Sequence, residues 1–457
     1  MHINNIIKKT LFGNTTLHNV VYALIYVMIY DYIWKNFEAV YFSYMGVIYV
    51  SDLYHRLVGY LFAIYPIVFY RGLHNASSWV SLLIYYMGYV PMIMGLCLDI
   101  PLDTKIDVNI YYVILSVAMS FFFRADRFKV TIKIAPKRKM SPNVLWGITI
   151  LSTVILFVTY SGNMRLVNFN DIYQLREENS SEGLSFIGYI YGWCASFFYP
   201  FIFCMGLLKK NKKYIILASC GFLMLFSIMG QKKDFFAPLI LLILYNIFLW
   251  QESNKANVMA PISLGLLLLS LVLISYSENE IIFTVASIFL SRTLAVTAYH
   301  VPMYLDFFDS NPYTYYSHIN IVNAITHSYP YSQSIGEMVA GDGSNSNAIF
   351  WLMDGVASCG VLGVAIISII VYCFLLLLNG MCNERNRIFI NTMMLMPIMA
   401  MLNVSFFTTV LSKGIFLLFL TIWFVDVSFE KKRIQRRALF HHGASYGSGV
   451  VTYKDTK

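Results

Sequence analysis

Stretches of about twenty residues nearly free of charge recur along the whole chain, and this limits the fold more strictly than anything else in it. About 20 apolar residues in a helix cross the ~30 Å hydrocarbon core of a bilayer. Such runs fall near 20–36, 55–70, 78–98, 109–123, 144–160, 184–208, 214–229, 235–250, 261–276, 348–378, 388–404 and 408–427. An all-α, polytopic membrane protein with about twelve transmembrane helices follows. Residues 1–457 read as a single integral membrane domain. The run at 348–378 is overlong for one span, which predicts a tilted helix or one partly outside the membrane.

Composition excludes the soluble alternatives. Of the 457 residues 58% are hydrophobic and 12% charged, against about a quarter charged in soluble domains. The net charge of +9 does not point to nucleic acid, because the Lys and Arg sit mainly in short connectors and in the tail, where the positive-inside rule accounts for them. Seven Cys form no C-x-x-C, and no Cys/His cluster has zinc spacing, so neither a disulfide framework nor a metal is expected. No phosphate loop, dinucleotide fingerprint or H-E-x-x-H is present, and no cofactor is expected. Lys8 and Lys9 precede the first apolar run without a small-x-small cleavage site, so that run is expected to be retained.

Charge orients the chain. With both termini cytoplasmic, the basic connectors 124–139, 209–213 and 385–387 fall inside, as does the basic tail 428–457. Two larger loops, 161–183 and 277–347, then face outward. Residues 281–301 are apolar enough to count as a span, but counting them would invert half of the basic connectors. An amphipathic or re-entrant helix lying against the outer surface is expected there instead. Lys232 and Lys233 fall outside against the charge bias, and such exceptions point to function.

Polar chemistry concentrates in the long excursion 277–347 and in 161–183. Between them they hold Arg165, Asp171, Tyr173, Arg176, Arg292, His300, His318, His327 and Glu337. The run Asn345-Ser-Asn347 leads from the excursion to Asp354 at the mouth of the next span. Arg and Lys gathered at one face make an anion site, Arg with a planar fork and Lys with a point charge. Diphosphate is a natural ligand, because fixed cations stabilise charge growing on a leaving oxygen. Arg165, Arg176, Lys232, Lys233 and Arg292 are the candidate cations, with Tyr173 and Asn347 as further substrate contacts. His318 and His327 are candidate bases, and Asp354, set in an apolar run, needs a proton or a cation partner. Each has a plainer reading: Arg176 can pair with Glu177 or Glu178, and Lys232 and Lys233 can snorkel to headgroups.

Two patches carry a resemblance. Asp171-Ile-Tyr173-Gln-Leu-Arg176-Glu177 resembles the D-x-Y-x-x-R-x-E signal of the O-antigen polymerases of the Wzy type. Asn345-Ser-Asn347-Ala-Ile-Phe-Trp351-Leu-Met-Asp354-Gly-Val-Ala357-Ser-Cys-Gly360-Val-Leu-Gly363 resembles that family's N-x-N-A-x-F-W-x-x-D-x-x-A-x-x-G-x-x-G run. Asp31 with Tyr41-x-x-Tyr44-x-Gly46 is a weaker third match. The resemblance implies a GT-C-like glycosyltransferase of the bacterial inner membrane, active at the periplasmic face without metal or nucleotide sugar. It would transfer a growing chain from undecaprenyl diphosphate to the non-reducing end of a new lipid-linked repeat unit. A flippase and a chain-length regulator would be its partners, with membrane lipids around it. By position Arg176 would hold diphosphate or sugar. The Gly230-Gln-Lys232-Lys233 turn has Lys where related enzymes often carry Arg. A lipid-linked oligosaccharide flippase and an O-antigen ligase are the alternatives.

Overall fold

The computed structural model describes residues 13, 15–101, 106–128, 130, 140–141, 143–166, 175, 179, 185–254, 256–341, 345–346, 350–425 and 427. In chain order the helices are α1 (Thr16–Ile33), α2 (Leu53–Phe69), α3 (Ala76–Leu98), α4 (Val108–Arg127), α5 (Asn143–Tyr160) and α6 (Phe186–Lys209). Next come α7 (Lys212–Met229), α8 (Lys232–Glu252), α9 (Met259–Ser275), α10 (Glu280–Ser310), α11 (Asn320–Thr326) and α12 (Ile335–Ala340). The last are α13 (Leu352–Met381), α14 (Arg387–Met401), α15 (Phe406–Ser412) and α16 (Ile415–Phe424). Eight of these helices are long and apolar enough to cross a membrane, or nine if α15 and α16 form one bent span. This is the all-helical architecture of a polytopic membrane protein.

Local chemistry sets where helices begin. Asp52, Asp107, Asn211, Asn279 and Ser405 each accept a hydrogen bond from a backbone N–H in the first turn that follows, satisfying donors the helix itself cannot pair. Packing then sorts the helices. In α3 and α6 94% of the apolar window is buried, against 28% in α5, so α3 and α6 are the central columns and α5 is peripheral. One group packs α1–α4 with α9, α10 and α13; a second packs α5–α8 together, and α14 joins the two by touching α3, α6 and α8.

The basic connectors gather at one end. Asn257 bonds Asn19 at 2.7 Å, Asn379 donates to Ala125 O at 2.6 Å, and Arg387 reaches His74 O at 3.1 Å and Glu252 at 2.7 Å. Trp146 and Tyr214 pack their tilted rings 4.7 Å apart beside Lys209–Lys213, and Met140 N–H donates to Phe424 O at 2.7 Å. At the other end Tyr41 meets Ser277 at 3.1 Å, and Ile48 N–H donates to Asp99 at 2.8 Å. Asp99 lies just past α3, where burial raises its carboxyl to about 8. Residues 131–139 and the tail from 428 lie outside the described residues, as does most of the 161–183 loop.

One expectation needs correction, and it concerns α13. It is not one tilted span but a folded-back hairpin. Its backbone breaks at Cys359 (φ −160°) and Gly360 (φ 62°), and Trp351 Nε1 donates to Ser368 Oγ at 2.7 Å. In a straight helix those residues would stand about 25 Å apart. Likewise a Cβ on Gly355 would lie 2.4 Å from Val364 N, and one on Gly363 only 2.0 Å from Gly355 O. The short arm 352–358 thus runs antiparallel to the long arm from 361, its backbone in contact through the two glycines. The helix begins at Leu352, and Asn347 lies outside the described residues.

α10 is long and apolar enough to cross a membrane, but it starts beside Tyr41 and ends beside the hairpin tip. The long arm of the hairpin reaches the basic end at Asn379 and is about 31 Å long, so its tip lies at the opposite end. Both ends of α10 therefore share that end. The helix lies across that end with one face packed on the bundle and the other open: Ala286, Leu290, Leu294, Ala298, Val301, Tyr304 and Phe308 are buried while Ile281 and Phe289 are exposed, and Ala298 O is so near Gly95 that a Cβ there would sit 2.9 Å away. In a cysteine-free background, Tyr315→Cys (70% exposed) and Tyr276→Cys (62% exposed) are expected to label from the same side of intact cells with an impermeant maleimide. Lys210→Cys is expected to label only after permeabilisation. Labelling of Tyr315→Cys together with Lys210→Cys would put α10 across the membrane.

Candidate functional site

The segment 311–318 forms a strap over the hairpin tip. A short helical arm ends with carbonyls it cannot pair, and the strap supplies donors. Thr314 N–H and Tyr315 N–H donate to Ala357 O and Ser358 O at 2.9 and 2.8 Å, and Tyr316 OH donates to Gly363 O at 3.1 Å. The cost is local: Tyr315 (φ 48°) and Tyr316 (φ 65°) are held in the left-handed region, and Trp351 (φ 67°) likewise. Aromatic residues avoid that region unless surrounding contacts impose it, and such strain concentrates at functional segments.

Under the strap lies a buried pair. His318 Nε2 is 2.8 Å from Asp354 Oδ1, with side chains 4% and 0% exposed. His318 Nδ1 is 2.8 Å from Thr314 Oγ1, whose hydroxyl donates to Ala357 O at 2.8 Å. Thr314 has one proton to give, so Nδ1 is the donor in their bond. Nε2 and Asp354 then hold one proton between them. Phe406 N–H, at the start of α15, donates to Asp354 Oδ2 at 3.4 Å. Asp354 thereby finds the partner an apolar setting demands, and the pair ties strap, hairpin and α15 together. Both ring nitrogens of His318 are engaged inside the protein, so the pair positions other elements rather than offering a lone pair to substrate. His327 is exposed at the end of α11, and among the described residues its ring makes no bond.

A second cluster lies at the other end of α15, about 10 Å further along its seven residues. Here the span is broken: α15 and α16 meet at 52° across Lys413 and Gly414. Gly414 (φ 79°) supplies the left-handed turn, and a Cβ on it would press on Phe197. Trp193 Nε1 donates to Leu411 O at 2.8 Å, and a Cβ on Gly192 would lie 2.4 Å from Ser412 O. The break holds half-buried Lys413 within electrostatic reach of Lys233 and of buried Asp234. Tyr191 OH donates to Asp234 Oδ2 at 2.5 Å. Gly230 closes α7 in the left-handed conformation that lets α8 begin at Lys232. Arg165 joins the same corner through its N–H, which donates to Ser227 O at 3.2 Å, and Asn179 donates to Ile228 O at 2.6 Å.

Of the sequence candidates, Arg165, Lys232 and Lys233 are thus brought to one corner, and His318 and Asp354 to one pair. Arg292 is exposed on α10, and α10 packs with the first group of helices while α8 packs with the second. The π-helical turn Ser287–Ala295 that contains it leaves its side chain exposed while Ser291 is buried. Tyr173 and Arg176 lie outside the described residues. Lys413 was not foreseen, although a lone cation within an apolar run is itself a signal of function. A third polar cluster was also missed. Buried Asp31 accepts from Tyr49 OH at 3.0 Å and Arg56 Nε at 3.1 Å, and from Arg56 Nη2 and Tyr60 OH as well. It fastens α1 to α2. No family model, curated protein or solved structure matches the chain.

Proposed function

We propose that this protein is a membrane glycosyltransferase that polymerises lipid-diphosphate-linked oligosaccharide repeat units, of the O-antigen polymerase kind its sequence resembles. The observation that carries this reading is the cationic corner at the broken span. Lys413 lies within electrostatic reach of Lys233 and of the buried carboxylate Asp234, which is bonded to Tyr191; Lys232 precedes Lys233 in the chain, and the backbone of Arg165 is tied to the same corner through Ser227 O. Like charges brought together in a partly dry setting call for a polyanion, and a diphosphate carries the required charge. Transfer breaks the bond between the donor sugar's anomeric carbon and the diphosphate oxygen. The electrons leave with that oxygen, where the cations stabilise them. The acceptor hydroxyl forms the new bond, and its proton passes to a base. His327 is the candidate base, since its imidazole is exposed. Tyr313, Tyr329 and Tyr331 near the strap offer rings for sugar stacking.

In this proposal the corner faces the periplasm and both termini the cytoplasm, in a bacterial inner membrane. The substrate is undecaprenyl-diphosphate-linked oligosaccharide, supplied by a flippase and limited in length by a regulator. A transporter of the same lipid-linked unit is the second reading, favoured by the folded-back α13 and the bent α15–α16 pair, since transporters build sites from discontinuous helices. The test is a length-resolved gel of surface polysaccharide from a strain lacking the protein. A single repeat unit on lipid A core, with no ladder, is the expected result. Long polymer left on its lipid carrier would mean ligase instead, and absence of repeat units from the periplasm would mean flippase.

A further inference from the structure

Two of the four π-helical turns among the described residues meet where the chain just past α1 packs on α10: Trp34–Glu38 and Ser287–Ala295. Such turns disturb the regular hydrogen-bond ladder and occur mostly at functional sites. At their meeting point sits Glu38, whose side chain is fully buried. Ser291 OH donates to Glu38 Oε1 at 3.0 Å, while Oε2 is buried without a hydrogen-bond partner. Ser287 Oγ and Tyr299 OH are also buried and without partners. Ser287 and Ser291 belong to one π turn, and the Tyr299 ring packs on Trp34 at 5.2 Å and Phe42 at 6.4 Å, the residues four before and four after Glu38.

The surroundings offer no counter-charge. The titratable groups facing this spot are Tyr30, which feels the charge of Glu38 and of Asp99, and Tyr299 and Tyr41. Among the described residues no Lys, Arg or His bonds Glu38. An uncompensated carboxylate in such a place costs several kcal/mol. A bridging water would satisfy the oxygens but leave the charge. A proton would remove the charge but would leave the buried hydroxyls of Ser287 and Tyr299 without partners. A small hard cation answers both demands. Carboxylate and hydroxyl oxygens suit alkali ions, and the absence of His or Cys disfavours softer metals.

We propose that Glu38, Ser287, Ser291 and Tyr299 form a buried site for a sodium-sized alkali cation between α1 and α10. Bound there, the ion fastens α10, whose far end runs into the strap, to α1. This site is separate from the cationic corner and does not depend on the polymerase reading. The test uses the full-length protein in detergent, with thermal unfolding followed as NaCl replaces choline chloride at constant ionic strength. The expected result is a saturable rise in the wild-type midpoint that is lost in Glu38→Gln. In the double variant Ser287→Ala/Tyr299→Phe the rise should need at least about tenfold more NaCl, since two ligand bonds are lost; this variant also carries the test if Glu38→Gln does not fold. A wild-type midpoint equal in NaCl and choline chloride overturns the proposal, as does an equal rise in wild type and Glu38→Gln. A midpoint that follows pH but not the alkali ion makes Glu38 a neutral carboxyl and overturns it too.

Discussion

Lys413→Gln is expected to abolish the polysaccharide ladder while leaving protein level and gel-filtration profile unchanged. Lys413 sits in the break between α15 and α16, within reach of Lys233 and Asp234. Gln keeps most of the side-chain volume and removes the charge, and it also removes the repulsion from Lys233. The fold should therefore tolerate the change. Catalysis should not, because a preorganised donor aimed at developing charge contributes about 10²–10³-fold in rate. Lys413→Arg keeps the charge but carries a planar fork where Lys carried a point, so a short ladder is expected from it. Lys233→Gln tests the same corner from the other helix and should fall in the same class. Full-length ladders from Lys413→Gln and Lys233→Gln at normal protein levels would remove the anion site from the proposal. Ladders lost together with the protein would instead mark Lys413 as a folding residue.

Much of this corner was legible in the chain itself. Lys232 and Lys233 violate the charge bias that orients every other basic connector, and an outward pair of cations needs a reason. Asp354, a carboxylate in an apolar run, announces a partner, and His318 fills that place at 2.8 Å. Lys413 carried the same signal, but the run around it is so apolar that length alone made it a span. What the sequence hid is where helices break. Hydropathy measures the apolar content of a window and is blind to a change of direction inside it. Cys359-Gly360 and Lys413-Gly414 both reverse or bend runs that read as unbroken spans. At α10 hydropathy alone allows a crossing, and it was the charge of the basic connectors that argued against one.

Gly363→Val is expected to be the most destructive single change in the membrane core. The hairpin exists because two backbones touch: a Cβ on Gly363 would lie 2.0 Å from Gly355 O, and one on Gly355 would lie 2.4 Å from Val364 N. The obstructing atoms are backbone, so no rotamer change can make room. Overpacking a well-filled core costs about 1–3 kcal/mol even when side chains can yield, and here the arms must separate. Separation would break the Trp351–Ser368 bond, pull Ala357 and Ser358 from the strap and open the His318–Asp354 pair. Loss of monodisperse protein in detergent is the expected result. Gly265→Ala is the control, because α9 leaves open space within 4 Å of that position. There the substitution only removes the backbone freedom of a helical Gly, and it should stabilise by about 0.5–1 kcal/mol. Two glycines in apolar helices thus move in opposite directions, and only a folded-back α13 accounts for the difference. A Gly363→Val protein with normal yield, profile and ladder would mean that the two arms do not meet.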